Sequence, residues 1–324
     1  MTAITKVTNT AIANVEYFSA STIEEFIASR HCAPNTARTY RNALRQLLKH
    51  FAAKSISTPT TADVDGFING LRGAKKSDST LRLYSTVTSL YFSFLGNRGI
   101  YPDVAADAAP LKLRKTTTHK KKSLSLEQAQ KLLAAVKGDS LIARRDRAIV
   151  ALALSCGVRT CEISRADVGD LSDDGCGGYF WSVQGKGRIQ KDAQVRVAPA
   201  VRALIDSYLE LRGKIEDAEP LFTSTSRNVG WDKNKYGVRL SEQGIGKMIK
   251  LVMKSVGIND RRITAHSTRH FAATTAIKNG VDLREVSAML RHASLNVTMT
   301  YLHDLSVENR RAEMSVANSL FSAA

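Results

Sequence analysis

Several features are missing from this sequence, and each absence removes a class of protein. Its four cysteines, Cys32, Cys156, Cys161 and Cys176, form no C-x-x-C pair. That spacing argues against a disulfide framework and for reduced, intracellular thiols, two of them expected inside one buried helix. The longest apolar run, Ala148 to Cys156, is far too short to span a bilayer and reads as a core helix. The first residues, MTAITKVTNTAIANVEYF, lack a continuous apolar stretch, so no secretory signal is expected. No G-x-x-x-x-G-K-[ST] loop is present, which argues against a P-loop nucleotide site. No carboxylate pair or aspartate cluster is set out for magnesium chemistry.

What the chain has in excess is positive charge. It carries 47 Lys and Arg against 30 Asp and Glu over 324 residues, for a net charge of +17 and a pI near 9.8. A polyanionic partner is implied, with nucleic acid the leading candidate. The hydrophobic fraction of 43% suits a packed core, and the length suits two domains.

The first part reads as four amphipathic helices, over Ser21 to Arg30, Asn35 to Lys54, Thr61 to Leu71 and Ser79 to Leu95. Apolar residues at helical spacing mark each one: Ile23, Phe26 and Ile27 in the first, Tyr40, Leu44, Leu47 and Phe51 in the second. Four such helices make a small bundle. On the second helix Arg38, Arg41 and Arg45 share a face and are candidate DNA-backbone contacts. The segment LKLRKTTTHKKKS, 111–123, has no apolar period and many cations. It reads as an interdomain linker, with Lys120, Lys121 and Lys122 as further DNA-binding candidates.

A capping box from Ser125 to Gln128 opens the second domain with a helix through Val136. A second helix spans about Leu141 to Cys156 and is stopped by Gly157, and a third begins near Arg159. Tyr179 to Gln184 and Gln194 to Val197 are β-prone and flank a Gly- and Lys-rich stretch, which predicts a β-hairpin with a mobile basic tip. Helices resume near Val201. The fold class expected is mainly α with a small β-hairpin or sheet, with domains at 1–110, 124–305 and a C-terminal helix and tail at 306–324.

The residues that carry chemistry are scattered: Arg159, Lys186, His266, Arg269, His292 and Tyr301. A site rich in Arg, His and Lys holds phosphate and stabilises negative charge. A nearby tyrosine is a candidate nucleophile. Arg159 and Glu162 lie three apart near a helix start, where Glu162 would orient the guanidinium or else form an ordinary surface pair. Lys186 sits in Gly-Lys-Gly at the hairpin tip, suited to a proton donor that reaches into a site. His266 and Arg269, one helical turn apart, are placed to grip one phosphate. His266 and His270 also have zinc-ligand spacing, but Ser267 stands where a metalloprotease needs Glu, so no metal is expected and His270 reads as packing.

Taken together and in order, these residues resemble the tyrosine recombinase family, the phage-integrase and Xer type. The family pattern is Arg in G-x-R-x-x-E, a hairpin Lys, H-x-x-R-H, then His or Trp, with Tyr nine residues later. Here CGVRTCEIS, QGKGR, AHSTRHF, MLRHAS and MTYLHD supply every element, with Tyr301 nine residues after His292. Thr268 stands where leucine is usual, Arg291 where glycine is common, and Cys161 where a larger aliphatic is common. These departures point away from housekeeping Xer proteins and towards a mobile element.

The resemblance implies a core-binding helical domain and a catalytic domain that together clamp double-stranded DNA. It implies that Tyr301 attacks a DNA phosphorus, expels a 5′-hydroxyl and forms a 3′-phosphotyrosine link without metal, cofactor or ATP. Lys186 would protonate the leaving oxygen. Arg159 and Arg269 would hold the non-bridging oxygens, His266 would assist deprotonation of the tyrosine, and His292 would add a hydrogen bond to phosphate. Strand exchange implies a homo-tetramer on DNA passing through a Holliday junction, with a monomer or dimer when free, and accessory DNA-bending or directionality proteins as candidate partners. An apolar stripe of Val307, Met314, Ala317 and Phe321 would dock the terminal helix onto a neighbouring protomer or onto its own domain. The short segment before the first helix leaves no room for an extra arm-binding domain. A bacterial, cytoplasmic, nucleoid-associated protein with no membrane partner is expected. The rival readings are a type IB topoisomerase-like nicking-joining enzyme, a DNA-binding regulator without catalysis, and a zinc protein.

Overall fold

The computed structural model describes residues 18–108, 122–185, 187–224, 238–292 and 294–301. The chain divides into two compact units, Met1–Lys115 and Thr116–Ala324.

In the first unit, four helices form where apolar periodicity and caps coincide: α1 (Ala20–Ser29), α2 (Pro34–Ala53), α3 (Thr61–Gly73) and α4 (Asp78–Asn97). The Ser19 and Ser77 side chains accept the amides of Thr22 and Thr80, satisfying donors that a helix start leaves open. Pro34 opens α2, where its missing N–H costs nothing. Ile23, Phe26, Leu44, Leu47, Phe67, Tyr91 and Phe92 make the bundle core. The buried Thr22 and Tyr91 hydroxyls meet at 2.9 Å. The basic stripe on α2 is broken in the middle. Arg38 and Arg45 are exposed, but Arg41 donates through Nε and Nη2 to both oxygens of Glu24, each at 2.6 Å, so its charge is already engaged by α1.

The second unit is built round α6 (Leu141–Ser155), whose residues Ala148 to Leu154 are all buried. That explains the apolar run: neighbours cover the helix on every side. Around it lie α5 (Leu126–Ala135), capped by the expected Ser125–Gln128 box, α7 (Thr160–Arg165), α8 (Pro199–Arg212), α9 (Glu242–Ser255), α10 (His266–Lys278), α11 (Leu283–Leu290) and the short α12 (Leu295–Met299). Cys156 ends α6 and Cys161 lies in α7, so the two buried thiols belong to different helices, not to one. None of the four cysteines is in a disulfide.

The β-hairpin is part of a three-stranded antiparallel sheet in the order β1 (Leu171–Asp173), β2 (Tyr179–Val183), β3 (Ala193–Val197). Trp181 pairs with Val195 and Tyr179 with Val197. Trp181, Val183, Val195 and Val197 point into the core, while Phe180 and Arg196 point out. Lys191, on the returning side of the hairpin, is held by Asp167 and Asp170 at 2.6 Å. The stem is thus tied to the helical body at the turn that precedes β1. No helix among the described residues is long and apolar enough to cross a membrane.

Candidate active site

The site starts at the end of α6. Gly157 turns the chain with φ 57°, and a Cβ there would come within 2.8 Å of Leu290 Cδ2. Only glycine permits both the left-handed backbone and this close approach of α11. Two residues later Arg159 caps α7. Glu162 accepts from the Arg159 amide at 2.8 Å through Oε2 and from Arg159 Nη1 at 2.8 Å through Oε1. The Glu162 side chain is 0% exposed, so the surface-pair alternative does not apply.

Arg269 is 1% exposed on α10. It does not point outward beside His266, which is exposed one turn earlier. Its Nη1 donates to the Gly157 carbonyl at 2.6 Å, and its Nη2 donates to the Leu290 carbonyl. These carbonyls lie two residues before Arg159 and two before His292, so one guanidinium joins the segments that carry both. Burial, and then Arg159, push Arg269 down to about 10, which leaves it a cation at neutral pH. Thr268 is buried and donates to the Ala265 carbonyl at 2.8 Å, so a hydroxyl is satisfied where the family commonly has leucine.

α11 ends at Arg291 in the left-handed conformation, φ 54° and ψ 50°. This is the position where glycine is common, and the backbone shows why. Arg291 Nη2 donates to Glu162 Oε2 at 2.7 Å and Nη1 to the Met289 carbonyl at 2.6 Å. Burial alone would raise the Glu162 carboxyl. The Arg291 guanidinium, with the Arg159 amide and side chain, outweighs it and holds the group below the usual range.

His292 follows, its Nδ1 2.7 Å from the Thr298 hydroxyl, which is itself buried. Burial lowers His292 to about 4, helped by Arg269, Arg159, Arg291 and His266. The ring is therefore neutral at neutral pH. In the tautomer where the Thr298 hydroxyl donates to Nδ1, Nε2 carries the proton and is a hydrogen-bond donor. Tyr301 is 2% exposed. It stacks on His292 with centroids 5.9 Å apart and meets His270 edge-on at 4.6 Å. His270 in turn lies 5.5 Å from His266. His270 is buried in this ring contact, in line with a packing role.

Five of the six sequence-predicted residues thus gather in one unit: Arg159, His266, Arg269, His292 and Tyr301. Lys186, Lys120 and Lys121 lie outside the described residues, as do Val307, Met314, Ala317 and Phe321. Lys122 is exposed, with its amide 3.4 Å from the Arg262 carbonyl. Sequence reasoning missed Arg291 and Thr298 as parts of the site. Arg291 carried a signal, a charged side chain where the backbone turns left-handed before His292. Thr298 carried none beyond its spacing. Among the described residues no group of three or more His, Cys, Asp and Glu side chains is placed to hold a metal ion. The arrangement gathers guanidinium groups, one imidazole that is neutral at neutral pH and one buried phenol, suited to a phosphate under nucleophilic attack.

Comparison with known proteins agrees with this chemistry. Residues 122–307 match the phage integrase family, and residues 23–99 match the phage integrase N-terminal SAM-like domain. The tyrosine recombinase XerD of Listeria monocytogenes serotype 4b (strain F2365) is 28% identical over 291 residues, covering 87% of this chain and 93% of the relative. Tyrosine recombinase XerA of Pyrococcus furiosus is 28% identical, covering 82% of each. Among solved structures, the XerH site-specific recombinase bound to its difH substrate superposes with a TM-score of 0.66 at 20% identity, covering 92% of this chain and 84% of that one. The Tn1549 transposon integrase with transposon right-end DNA gives a TM-score of 0.64 at 16% identity, covering 91% and 98%. These two share the fold. The match across more than half of its length settles the family: this chain belongs to the phage integrase family, as a tyrosine recombinase of the integrase and Xer type.

Proposed function

We propose that this recombinase cuts and rejoins DNA at specific sites with Tyr301 as the nucleophile. The observation that carries the reading is the double hydrogen bond of Arg269 to the Gly157 and Leu290 carbonyls, which joins the segments that carry Arg159 and His292, with His292 stacked on the Tyr301 ring. Arg159 and Arg269 would stabilise the non-bridging oxygens as charge builds, and His292 would donate to phosphate from Nε2. His266, exposed at the start of α10, would take the phenolic proton, and Lys186 would supply the proton to the departing 5′-oxygen. The bond broken is P–O5′ and the bond formed is P–O of Tyr301. Reversal by a 5′-hydroxyl restores the diester without ATP. Tyr301 is buried, so attack requires α12 and the turn after it to shift the phenol towards the bound phosphate.

The domains we propose are a DNA-clamping helical domain at 1–110, a basic linker at 111–123, a catalytic domain at 124–305 and a docking helix at 306–324. The exposed Arg38, Arg45 and Lys122 would meet DNA phosphates, with Lys120 and Lys121 on the linker. One nucleophile per chain cuts one strand, so exchange between duplexes calls for four protomers. A solved relative is described as a lambda integrase tetramer bound to a Holliday junction. A mobile element in the bacterial cytoplasm, with accessory DNA-bending proteins as partners, fits the departures at Thr268 and Arg291.

The test uses a plasmid with two copies of a duplex that the protein itself selects from random-sequence DNA. Recombination products linking the two copies are expected. Relaxation of supercoils without recombination would place the chain with the nicking-joining enzymes instead, and DNA binding with neither would make it a silent regulator.

A further inference from the structure

The Glu162 carboxylate is fully occupied, and half of its contacts come from a residue outside the six that the family pattern marks. A carboxylate accepts about four hydrogen bonds. Arg159 supplies two, from its amide and Nη1 at 2.8 Å each. Arg291 supplies the others, from Nη2 at 2.7 Å and Nε at 3.4 Å. The third arm of Arg291 is spent on the Met289 carbonyl, so its guanidinium is fixed at all three nitrogens. Its side chain is 10% exposed. Arg159 keeps a partly open side chain, and among the described contacts only its Nη1 is engaged.

Charge explains what this does. Arg159 and Glu162 alone would form a neutral pair, and a guanidinium neutralised at such close range attracts a phosphate weakly. With Arg291 on the same carboxylate, the trio carries one net positive charge. We propose that Arg291 is a positioning residue that acts through Glu162, fixing the carboxylate that orients Arg159 and restoring the positive charge which that carboxylate would cancel. The left-handed backbone at 291 is the cost: a side chain other than glycine is held at φ 54°, where glycine would be unstrained. A residue kept in that conformation by three hydrogen bonds needs a return, and the buried carboxylate beside a phosphate-gripping arginine supplies one.

This rests on the recombinase reading, and the experiment separates the two. Arg291→Gly and Arg291→Asn both suit a left-handed backbone, and the denaturant midpoint of each shows whether it stays folded. Single-turnover formation of the covalent DNA adduct is measured on a nicked duplex of the selected site, once with a normal scissile phosphate and once with a methylphosphonate, which carries no charge. On the phosphate, each variant is expected to be slower by about tenfold, the low end of what loss of a charge-assisted hydrogen bond costs. On the methylphosphonate the deficit shrinks, because the missing positive charge no longer matters. An unchanged rate on phosphate, or an equal deficit on both linkages, overturns the proposal, the second result indicating support of structure alone. Absence of adduct with the unaltered chain overturns the recombinase reading and this proposal with it.

Discussion

The ring of Tyr301 lies nearly parallel to that of His292, 11° between planes, and buries the phenol. The phenol therefore rests in a packed position against an imidazole. Nitration by tetranitromethane, mapped by peptide, should modify Tyr301 more slowly than the partly exposed Tyr84 in the free protein. His292→Ala should raise the rate at Tyr301 and leave Tyr84 unchanged. Equal rates at the two tyrosines in the unaltered chain would contradict the buried resting state.

His292 makes stability depend on pH. Its folded pKa, about 4, lies below the ordinary imidazole value. The unfolded chain therefore takes up the proton first as pH falls, and acid favours unfolding. The contribution of His292 is fully present above about pH 6.5 and is lost as pH falls towards 4. Urea midpoints measured across this window should fall less steeply for His292→Gln than for the unaltered chain. A bound phosphate adds negative charge beside the ring, so the His292 titration seen by NMR should move up when DNA binds.

Arg269 holds the site together through two carbonyls, and its removal should be felt in folding. Each unsatisfied buried acceptor costs about 1–3 kcal/mol, so Arg269→Met should destabilise by roughly 3 kcal/mol in denaturant unfolding. Gly157→Ala meets Leu290 at 2.8 Å and a positive φ together. Overpacking and left-handed strain should cost about 2–4 kcal/mol. A loss under 1 kcal/mol for both variants would mean that the two segments are joined some other way.

Much of this architecture was legible because it is local. Helices α1 to α6 lie within one or two residues of their expected bounds, since apolar spacing and Ser, Thr and Pro starts act over a single turn. β1 was missed because three residues, Leu171–Asp173, are too few to show alternation. The candidate site residues stood out in the sequence as a pattern, but the directions of their side chains did not. Nothing near Arg41 in sequence reveals Glu24 seventeen residues earlier as its partner. Nothing near Arg269 says that it turns inward to carbonyls at 157 and 290. Arg291 read as a departure from glycine, and its meaning depends on Glu162, 129 residues away. Long-range pairing is decided by the packing of α7, α10 and α11 together, which no window of sequence contains.

The central claim is that the phenolic oxygen of Tyr301 becomes bonded to DNA phosphorus. Mass spectrometry of the proteolysed adduct from a nicked duplex measures this directly. The account predicts a phosphonucleotide on the peptide containing Tyr301, and none from Tyr301→Phe, which should still bind the duplex. A DNA adduct on any other residue, or one that persists in Tyr301→Phe, would contradict it.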